Sequence, residues 1–439
     1  MRHLTTIIIG CIILTAKAQT MTLKECVERG LACNLSLDNT RIEKEKGSLG
    51  VSQNKAKLLP TIIGFAQTTD YLKCPVNVTT GTLLGSDFPD NPTWQAIRSM
   101  KYNTQAGIQF TMPLYNQTIL AAIDVARTVE NIGQLKYEKA VEELTLQLAR
   151  IYYLAQASLE QLQLTDDNIV RMTELYAITE ALYNQGMVMD VDLERVRIDL
   201  TMLKTERTGQ HTLHEQQLNM LRFLMDMNED EALEVEAHFQ TLSGETCISG
   251  DGVSGELPEL RIAAKQKELA EKSIKSTKAA YLPSLSFTGY VGGVGYNEKL
   301  SLNTGHWYGN CFVGISLRVP IFEANSRKLK IRQQRLDAQQ AAISLTLLQK
   351  QLDKQYADAA LQQMRNLEIL QAQTECLRQA AEMCSITEEQ YKEGIASMTA
   401  LLQDEMQLRT AQSAYVQANC QYRLAELEMS RLKGKILKI

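Results

Sequence analysis

Proline is scarce and unevenly placed: the eight residues at 60, 75, 89, 92, 113, 258, 283 and 320 leave 114–257 and 321–439 with none. Because proline breaks helix interiors, those two gaps are where long helices can run. From 323 to 393 glycine is missing as well, and these 71 residues would span about 100 Å as one helix, which no compact core requires. Beyond the amino terminus no apolar run approaches the ~20 residues of a transmembrane helix, so any membrane span must be built from strands. There is no C-x-x-C pair among the nine cysteines, which excludes the usual zinc and redox patterns. No basic domain exists, which excludes nucleic acid as a partner.

Catalytic patterns are equally lacking. No phosphate loop, nucleophile elbow or carboxylate pair of recognisable spacing occurs. His211-x-x-His214 has no third ligand and reads as solvated helix surface. Asp226-Met227-Asn228-Glu229-Asp230 imitates the start of a calcium loop, yet Glu231 stands where glycine is needed. The expectation is a chain that is not an enzyme and uses no metal and no cofactor. Cysteines dispersed at 26, 33, 74, 247, 311, 376, 384 and 420 suit small buried hydrophobes. Cys26 and Cys33, seven apart on a predicted helix, would be about 10 Å apart, too far for a disulfide unless the helix broke. Free thiols are expected.

What is present begins with residues 1–18: Arg2, an apolar run from Thr5 to Leu14, and Ala16-Lys17-Ala18 as a small-residue cleavage site, together a secretory leader. Ile8-Ile9-Gly10-Cys11 also fits a lipoprotein signal, with a shorter apolar run. Removing 1–18 takes away Arg2 and Lys17, and the formal charge moves from −5 to −7.

Two stretches then organise the chain, Tyr183-Asn184-Gln185-Gly186-Met187-Val188-Met189-Asp190-Val191-Asp192-Leu193 and Tyr391-Lys392-Glu393-Gly394-Ile395-Ala396-Ser397-Met398-Thr399-Ala400-Leu401. In each, a glycine suited to ending a helix interrupts a long helical pattern, so the chain folds back there into a hairpin. Met187, Val188, Ile395 and Met398 are expected as apolar groups at tips with no core to bury them. The prolines mark further duplication. Ala106-Gly107-Ile108-Gln109-Phe110-Thr111-Met112-Pro113-Leu114-Tyr115 answers Val313-Gly314-Ile315-Ser316-Leu317-Arg318-Val319-Pro320-Ile321-Phe322 at an offset of 207, against 208 between Gly186 and Gly394. One unit is used twice. The expected division is a first repeat over 19–242, a Gly- and Ser-rich linker over 243–258, and a second repeat over 259–439.

Within each repeat the pattern reads helix, strand, loop, strand, long helix, turn, long helix. Strands are expected at about 61–73, 101–113, 284–296 and 307–319, and hairpins at about 117–227 and 323–432. Ala106, Ile108, Phe110 and Met112 alternate with small or polar residues, as do Cys311, Val313, Ile315, Leu317 and Val319. A strand between lipid and a water-lined lumen needs that pattern, although a soluble sandwich strand shows it too. Pro60, Pro113, Pro283 and Pro320 are expected at switches between strand and helix. Turn formers fill 75–100 and 297–306, and Tyr71, Trp94, Tyr102, Tyr290, Tyr296, Trp307 and Tyr308 are expected near strand ends, as interfacial girdle or loop anchors. The broad apolar stripe through Leu329, Leu336 and Ile343 suits helices packed side by side into a tube. The shorter helices are expected to be extended end to end by those around 38–58 and 259–281.

This arrangement resembles the outer-membrane efflux protein family, the TolC-like channel-tunnels, over essentially the whole mature chain. The resemblance rests on Leu23-Lys24-Glu25-Cys26 with Asn34, Leu58-Leu59-Pro60, Met112-Pro113-Leu114-Tyr115-Asn116, Gly186 followed by Asp192-Leu193, Leu257-Pro258-Glu259-Leu260, Leu282-Pro283-Ser284-Leu285, Val319-Pro320-Ile321-Phe322 and Tyr391-x-x-Gly394. It implies a mainly α chain with a small transmembrane β part, which as a homotrimer forms a 12-stranded outer-membrane β-barrel on a periplasmic α-helical barrel. The implied role is the exit duct of a tripartite efflux or type I secretion system in the bacterial outer membrane, in contact with its lipid. Its implied partners are a periplasmic adaptor and, through it, an inner-membrane pump. The tips, with Tyr183, Gly186, Met187, Val188, Asp190, Asp192, Tyr391, Gly394, Ile395 and Met398, would be the channel entrance and adaptor-docking surface. Family acidic positions six and nine after the second glycine hold Ala400 and Gln403 here, and the basic position two after it holds Ala396; the gating-tyrosine position is kept as Tyr391. Asp190 and Asp192 could ring the entrance instead, or cap the helix that follows. A periplasmic or surface-attached helical scaffold without channel activity would explain the leader and the long helices but not the alternating strands.

Overall fold

A computed structural model describes residues 19–80, 94–228, 231–237, 253–300 and 306–436. The expected leader, Cys247, residues 243–252 of the expected linker and the Asp87–Pro92 turn-former run lie outside them. In chain order the elements are β1 (Gln19–Met21), α1 (Leu23–Cys33), α2 (Leu35–Ala56), β2 (Thr61–Asp70), β3 (Val76–Thr80), β4 (Trp94–Arg98), β5 (Tyr102–Tyr115), α3 (Gln117–Asn184), α4 (Asp190–Leu224), β6 (Leu233–Val235), α5 (Pro258–Ala279), β7 (Ser284–Asn297), β8 (His306–Arg318), α6 (Ser326–Lys392) and α7 (Met398–Leu432). The chain packs into two compact units that cut across the sequence repeats. One holds the described residues up to Lys44 with Gly133–Ala264 and those from Ile343 onward; the other holds Glu45–Ile132 and Lys265–Ala342.

The second unit carries a four-stranded sheet in the order β2-β5-β7-β8, antiparallel throughout. Its central pairing joins the repeats: β5 from the first lies on β7 from the second, Tyr102 opposite Asn297 and Pro113 opposite Ser286. The register puts Ala106, Ile108, Phe110 and Met112 on the same face as Phe287, Val291, Cys311, Val313, Ile315 and Leu317, since side chains alternate across a strand. On the other face Tyr290 lies in the middle of β7, not at a strand end as expected. It packs between Phe65 and Phe312, with ring centroids 5.9 and 5.6 Å away. Gly107 and Gly292 make room for it, because a Cβ on either would come within 2.8 Å of the Tyr290 side chain. Within the expected loop over 75–100, β3 and β4 pair as a two-stranded antiparallel sheet.

The first unit is helical. Thr22 opens α1 with a capping box, its hydroxyl accepting from the Glu25 N–H while the Glu25 carboxylate accepts from the Thr22 N–H at 2.9 Å, which satisfies two otherwise orphaned donors. Asn34 then serves two helix ends. Its Oδ1 accepts from Leu37 N–H at the start of α2, and its Nδ2 donates to Leu224 C=O at the end of α4, 2.8 Å away. The core beneath gathers Cys26, Leu148, Tyr152, Leu221, Met225 and Leu427, and the Tyr152 hydroxyl donates to Met21 C=O. At the other junction Leu257, just before α5, is buried with Leu352, Ala359, Met429 and Leu432, and the Ser254 N–H donates to Leu432 C=O at 3.2 Å. The short helices α2 and α5 thus start where α4 and α7 end.

Candidate functional site: the two helical tips

Each long helix ends in the same backbone turn. At the first tip the Gly186 N–H donates to Tyr183 C=O and the Met187 N–H to Leu182 C=O; at the second, Gly394 N–H donates to Tyr391 C=O and Ile395 N–H to Gln390 C=O. This bonding is a Schellman closure, and it requires a left-handed residue at its centre. Gly186 and Gly394 both have φ +75°, and a Cβ at either would meet open space, so the requirement there is backbone conformation and not crowding. The helices resume differently. Ser397 caps α7, its hydroxyl accepting from the Ala400 N–H at 3.2 Å, whereas α4 starts after Met189 with no side-chain cap and with Asp190 and Asp192 in its first turn. Aspartates there complement the helix dipole.

Neither aspartate is therefore a cap. Asp192 is partly buried and holds Arg195 at 3.1 Å, and the same guanidinium donates to the Thr399 hydroxyl of the second tip at 3.3 Å. Asp190 is exposed. The apolar tip residues divide as well. Met187 and Ile395 are each 71% exposed and Tyr183 is exposed, while Val188 is half-buried. Met398, expected bare, is only 4% exposed: it packs with Met172, Val196 and Leu203 in a cluster that also takes in Tyr391 and Leu402. The sister hairpin supplies the core that one hairpin alone lacks. The Tyr391 hydroxyl is buried there without a hydrogen-bond partner.

Behind the tips runs a polar layer. Asn168 Nδ2 donates to Gln412 Oε1 at 2.9 Å, Arg171 donates to Asn168 and stands 3.7 Å from the buried Glu405, and the Thr387 hydroxyl donates to Asp404 at 2.6 Å. Further along, His214 is buried on α4 with its Nδ1 2.9 Å from Ser158 Oγ, which corrects its reading as solvated surface. Burial holds the imidazole below its ordinary pKa. Among the described residues no cluster of His, Cys, Asp or Glu could hold a metal. The pairs that cross between the two hairpins had no sequence signal, because partners such as Asn168 and Gln412 are 244 positions apart.

In the other unit Pro60 and Pro283 directly precede β2 and β7, and Pro320 follows β8. Pro113 lies inside β5, which continues past a bulge to Tyr115. Its missing N–H is tolerated because the β2 ladder already ends at Thr61 opposite Thr111, leaving that edge free.

A four-stranded sheet joined to 68- and 67-residue helices in paired hairpins defines a class, that of the channel-tunnel fold. Solved structures of this fold align over nearly the whole chain. The outer membrane protein VceC from Vibrio cholerae matches with TM-score 0.73 at 16% identity, covering 94% of this chain and 96% of that one. The MtrE outer membrane channel of Neisseria gonorrhoeae matches with TM-score 0.71 at 18% identity, covering 94% and 89%. In sequence the chain is 22% identical to the antibiotic efflux pump outer membrane protein ArpC of Pseudomonas putida, over 66% of this chain, and the match spans 60% of that protein's length. The profile of the outer membrane efflux protein family matches residues 27–225 and 255–435. The chain belongs to that family, as its sequence motifs implied, and is an outer-membrane protein.

Proposed function

We propose that this chain is a passive exit duct of a tripartite efflux or type I secretion system, assembled as a homotrimer. The observation that carries this reading is unfinished packing on both units. The sheet leaves β2 and β8 as open edges, and unpaired strand edges are prohibitively costly in lipid. On α6 one stripe is buried at Leu352, Ala359, Asn366 and Thr387, whereas Leu347, Leu361, Ile369 and Ile386 are exposed. A second apolar stripe on a helix already packed along the first needs another helix. Copies of the same chain supply both partners, and three copies of four strands make the twelve-stranded barrel of the family.

In this reading the tips form the periplasmic entrance and receive the adaptor, with exposed Met187 and Ile395 as its apolar footholds, and an inner-membrane pump acts through that adaptor. Pro60, Pro113, Pro283 and Pro320 lie at the barrel–tunnel junction. The purified protein in detergent should have three times the mass of the chain and give discrete conductance steps in a planar lipid bilayer. A monomer without conductance, recovered from the periplasm without detergent, would favour the helical scaffold.

A further inference from the structure

Charge is unevenly divided between the two units. Glu45–Ile132 with Lys265–Ala342 holds 19 basic and 11 acidic residues, a formal +8, in a chain whose total is −5. Much of this excess gathers where the sheet gives way to helices. The antiparallel registers bring the start of β2, the end of β5, the start of β7 and the end of β8 to one end of the sheet, so α2, α3, α5 and α6 all adjoin that end. Each connection carries an exposed apolar side chain next to the sheet: Leu59, Leu114, Leu282 and Ile321. Beyond them, on three of the four helices, come exposed basic residues. Lys55 and Lys57 lie where α2 ends, Lys275 and Lys278 near the end of α5, and Lys328 and Arg332 near the start of α6.

Two of these helix ends meet. The Arg327 guanidinium lies over the Tyr281 ring, 5.4 Å from its centroid, which joins the start of α6 to the end of α5. Beside that contact is a cavity of about 230 Å³ whose lining includes Tyr281, Ile321, Phe322, Asn325 and Lys328. Between Glu323 and Asp337 every charged residue is basic, and the first turn of α6 has no acidic residue. Cations there work against the helix dipole, so helix stability does not account for them. The ion pairs nearby join Lys265 and Lys272 to Glu268, and Arg327 to Glu323; among the described residues none takes Lys275, Lys278, Lys328 or Arg332. We infer that this basic collar binds the headgroups of anionic phospholipids in the periplasmic leaflet of the outer membrane. The helical part of the chain is periplasmic, so the helix-bearing end of the sheet meets that leaflet. Apolar side chains followed by Lys and Arg repeat the order of hydrocarbon and then phosphate, and long basic side chains reach the phosphates while their stems stay against apolar surface. Lys275 to Lys278 and Lys328 to Arg332 each span about one turn, roughly 5 Å, which fits within a headgroup layer about 5–8 Å deep. A headgroup phosphate at the cavity meets Lys328, and its acyl chains lie toward Ile321 and Phe322.

Native mass spectrometry of the full-length protein in detergent, titrated with phosphatidylglycerol or with zwitterionic phosphatidylcholine, tests this. Phosphatidylglycerol should be retained at a several-fold lower concentration, and inorganic phosphate in large molar excess should not displace it. Lys275→Gln, Lys278→Gln, Lys328→Gln and Arg332→Gln combined should remove the preference, whereas Lys275→Arg, Lys278→Arg, Lys328→Arg and Arg332→Lys combined should keep it. Equal retention of the two lipids by the unaltered protein overturns the inference without any variant. Displacement by inorganic phosphate also overturns it, since the collar would then be a site for free anions. A glutamine variant that keeps the lipid preference but shifts channel selectivity toward cations, in a bilayer of phosphatidylcholine alone, would put these side chains in the lumen and overturn it as well. The lipid titration needs no conductance, so its failure leaves the exit-duct reading standing, and a chain that binds phosphatidylglycerol through these residues without conducting fails that reading alone.

Discussion

Arg195 and Thr399 are 204 positions apart in sequence, and the guanidinium of one donates to the hydroxyl of the other at 3.3 Å while holding Asp192. The two tips are thus tied within one chain, and the tie consumes one of the two aspartates expected to charge the entrance. At the proposed entrance Asp190, exposed and at the first position of α4, would be the carboxylate that acts on passing ions. Changing Asp190 to Asn should lower cation selectivity and weaken block by divalent ions in single-channel recordings. Changing Asp192 to Asn should alter them less and loosen the contact with the exposed Arg195, a surface ion pair worth on the order of 1 kcal/mol. Equal currents from wild type and the Asp190 variant would mean that packing alone sets the entrance.

The glycines at the tips offer a sharper backbone test. Both have φ +75°, where a β-branched residue is strained by roughly 1–3 kcal/mol. Gly186→Val with Gly394→Val should abolish export while the assembled oligomer remains in the membrane, since the tip turns lie far from the sheet in sequence and only their own closures depend on left-handed backbone. Full export by the double variant would show that the tips are not the entrance or the docking surface.

The hairpins and four barrel strands were legible because their signals are local: a glycine in a long breaker-free run, and alternation at period two. The tip chemistry was not local. Met398 follows a turn and is apolar, as a docking residue would be, but it faces Met172 and Val196 from the other hairpin. Pro113 looked like a strand terminus because its extension is held by Ser286 and Leu285 of the other repeat. Asp192 had the residue type and position of a cap, yet Arg195, three residues on, takes its carboxylate. Three-residue β1 pairs with β6, too short a strand for periodicity to register.

Cysteine burial was legible only in part: Cys26, Cys384 and Cys420 are buried, whereas Cys33, Cys311 and Cys376 are exposed. Burial pushes the thiol of Cys26 and that of Cys384 up to about 12 and that of Cys420 up to about 11. Since the thiolate reacts, each should be slowed by orders of magnitude relative to a free thiol near 8.5. Maleimide at pH 8 should leave these three unmodified in the folded protein and label them in guanidinium. Rapid native labelling of Cys26 or Cys420, read by mass spectrometry of peptides, would mean that the helical core opens readily.

His214 gives the helical unit a pH dependence whose sign follows from its surroundings. The ring is buried on α4 beside Ser158 and Gln217, and burial lowers its pKa, opposed by the nearby Glu215 carboxylate and reinforced by His211. The unfolded chain therefore takes up a proton on this residue first as pH falls through about 6.5, the ordinary histidine value. Stability from the neutral buried ring is complete above that pH and is lost below it, toward the folded-state pKa, at about 1.4 kcal/mol for each unit of difference. The window between about pH 6.5 and 5 precedes the titration of most carboxylates, so the effect can be isolated there. Thermal unfolding followed by helical circular dichroism should show a lower midpoint at pH 5.5 than at 7.5. His214→Gln keeps a polar group beside Ser158 but cannot titrate, and it should have a lower midpoint at pH 7.5 with a smaller fall on acidification. An equal fall in wild type and variant would assign the acid sensitivity to other groups and leave His214 as packing only.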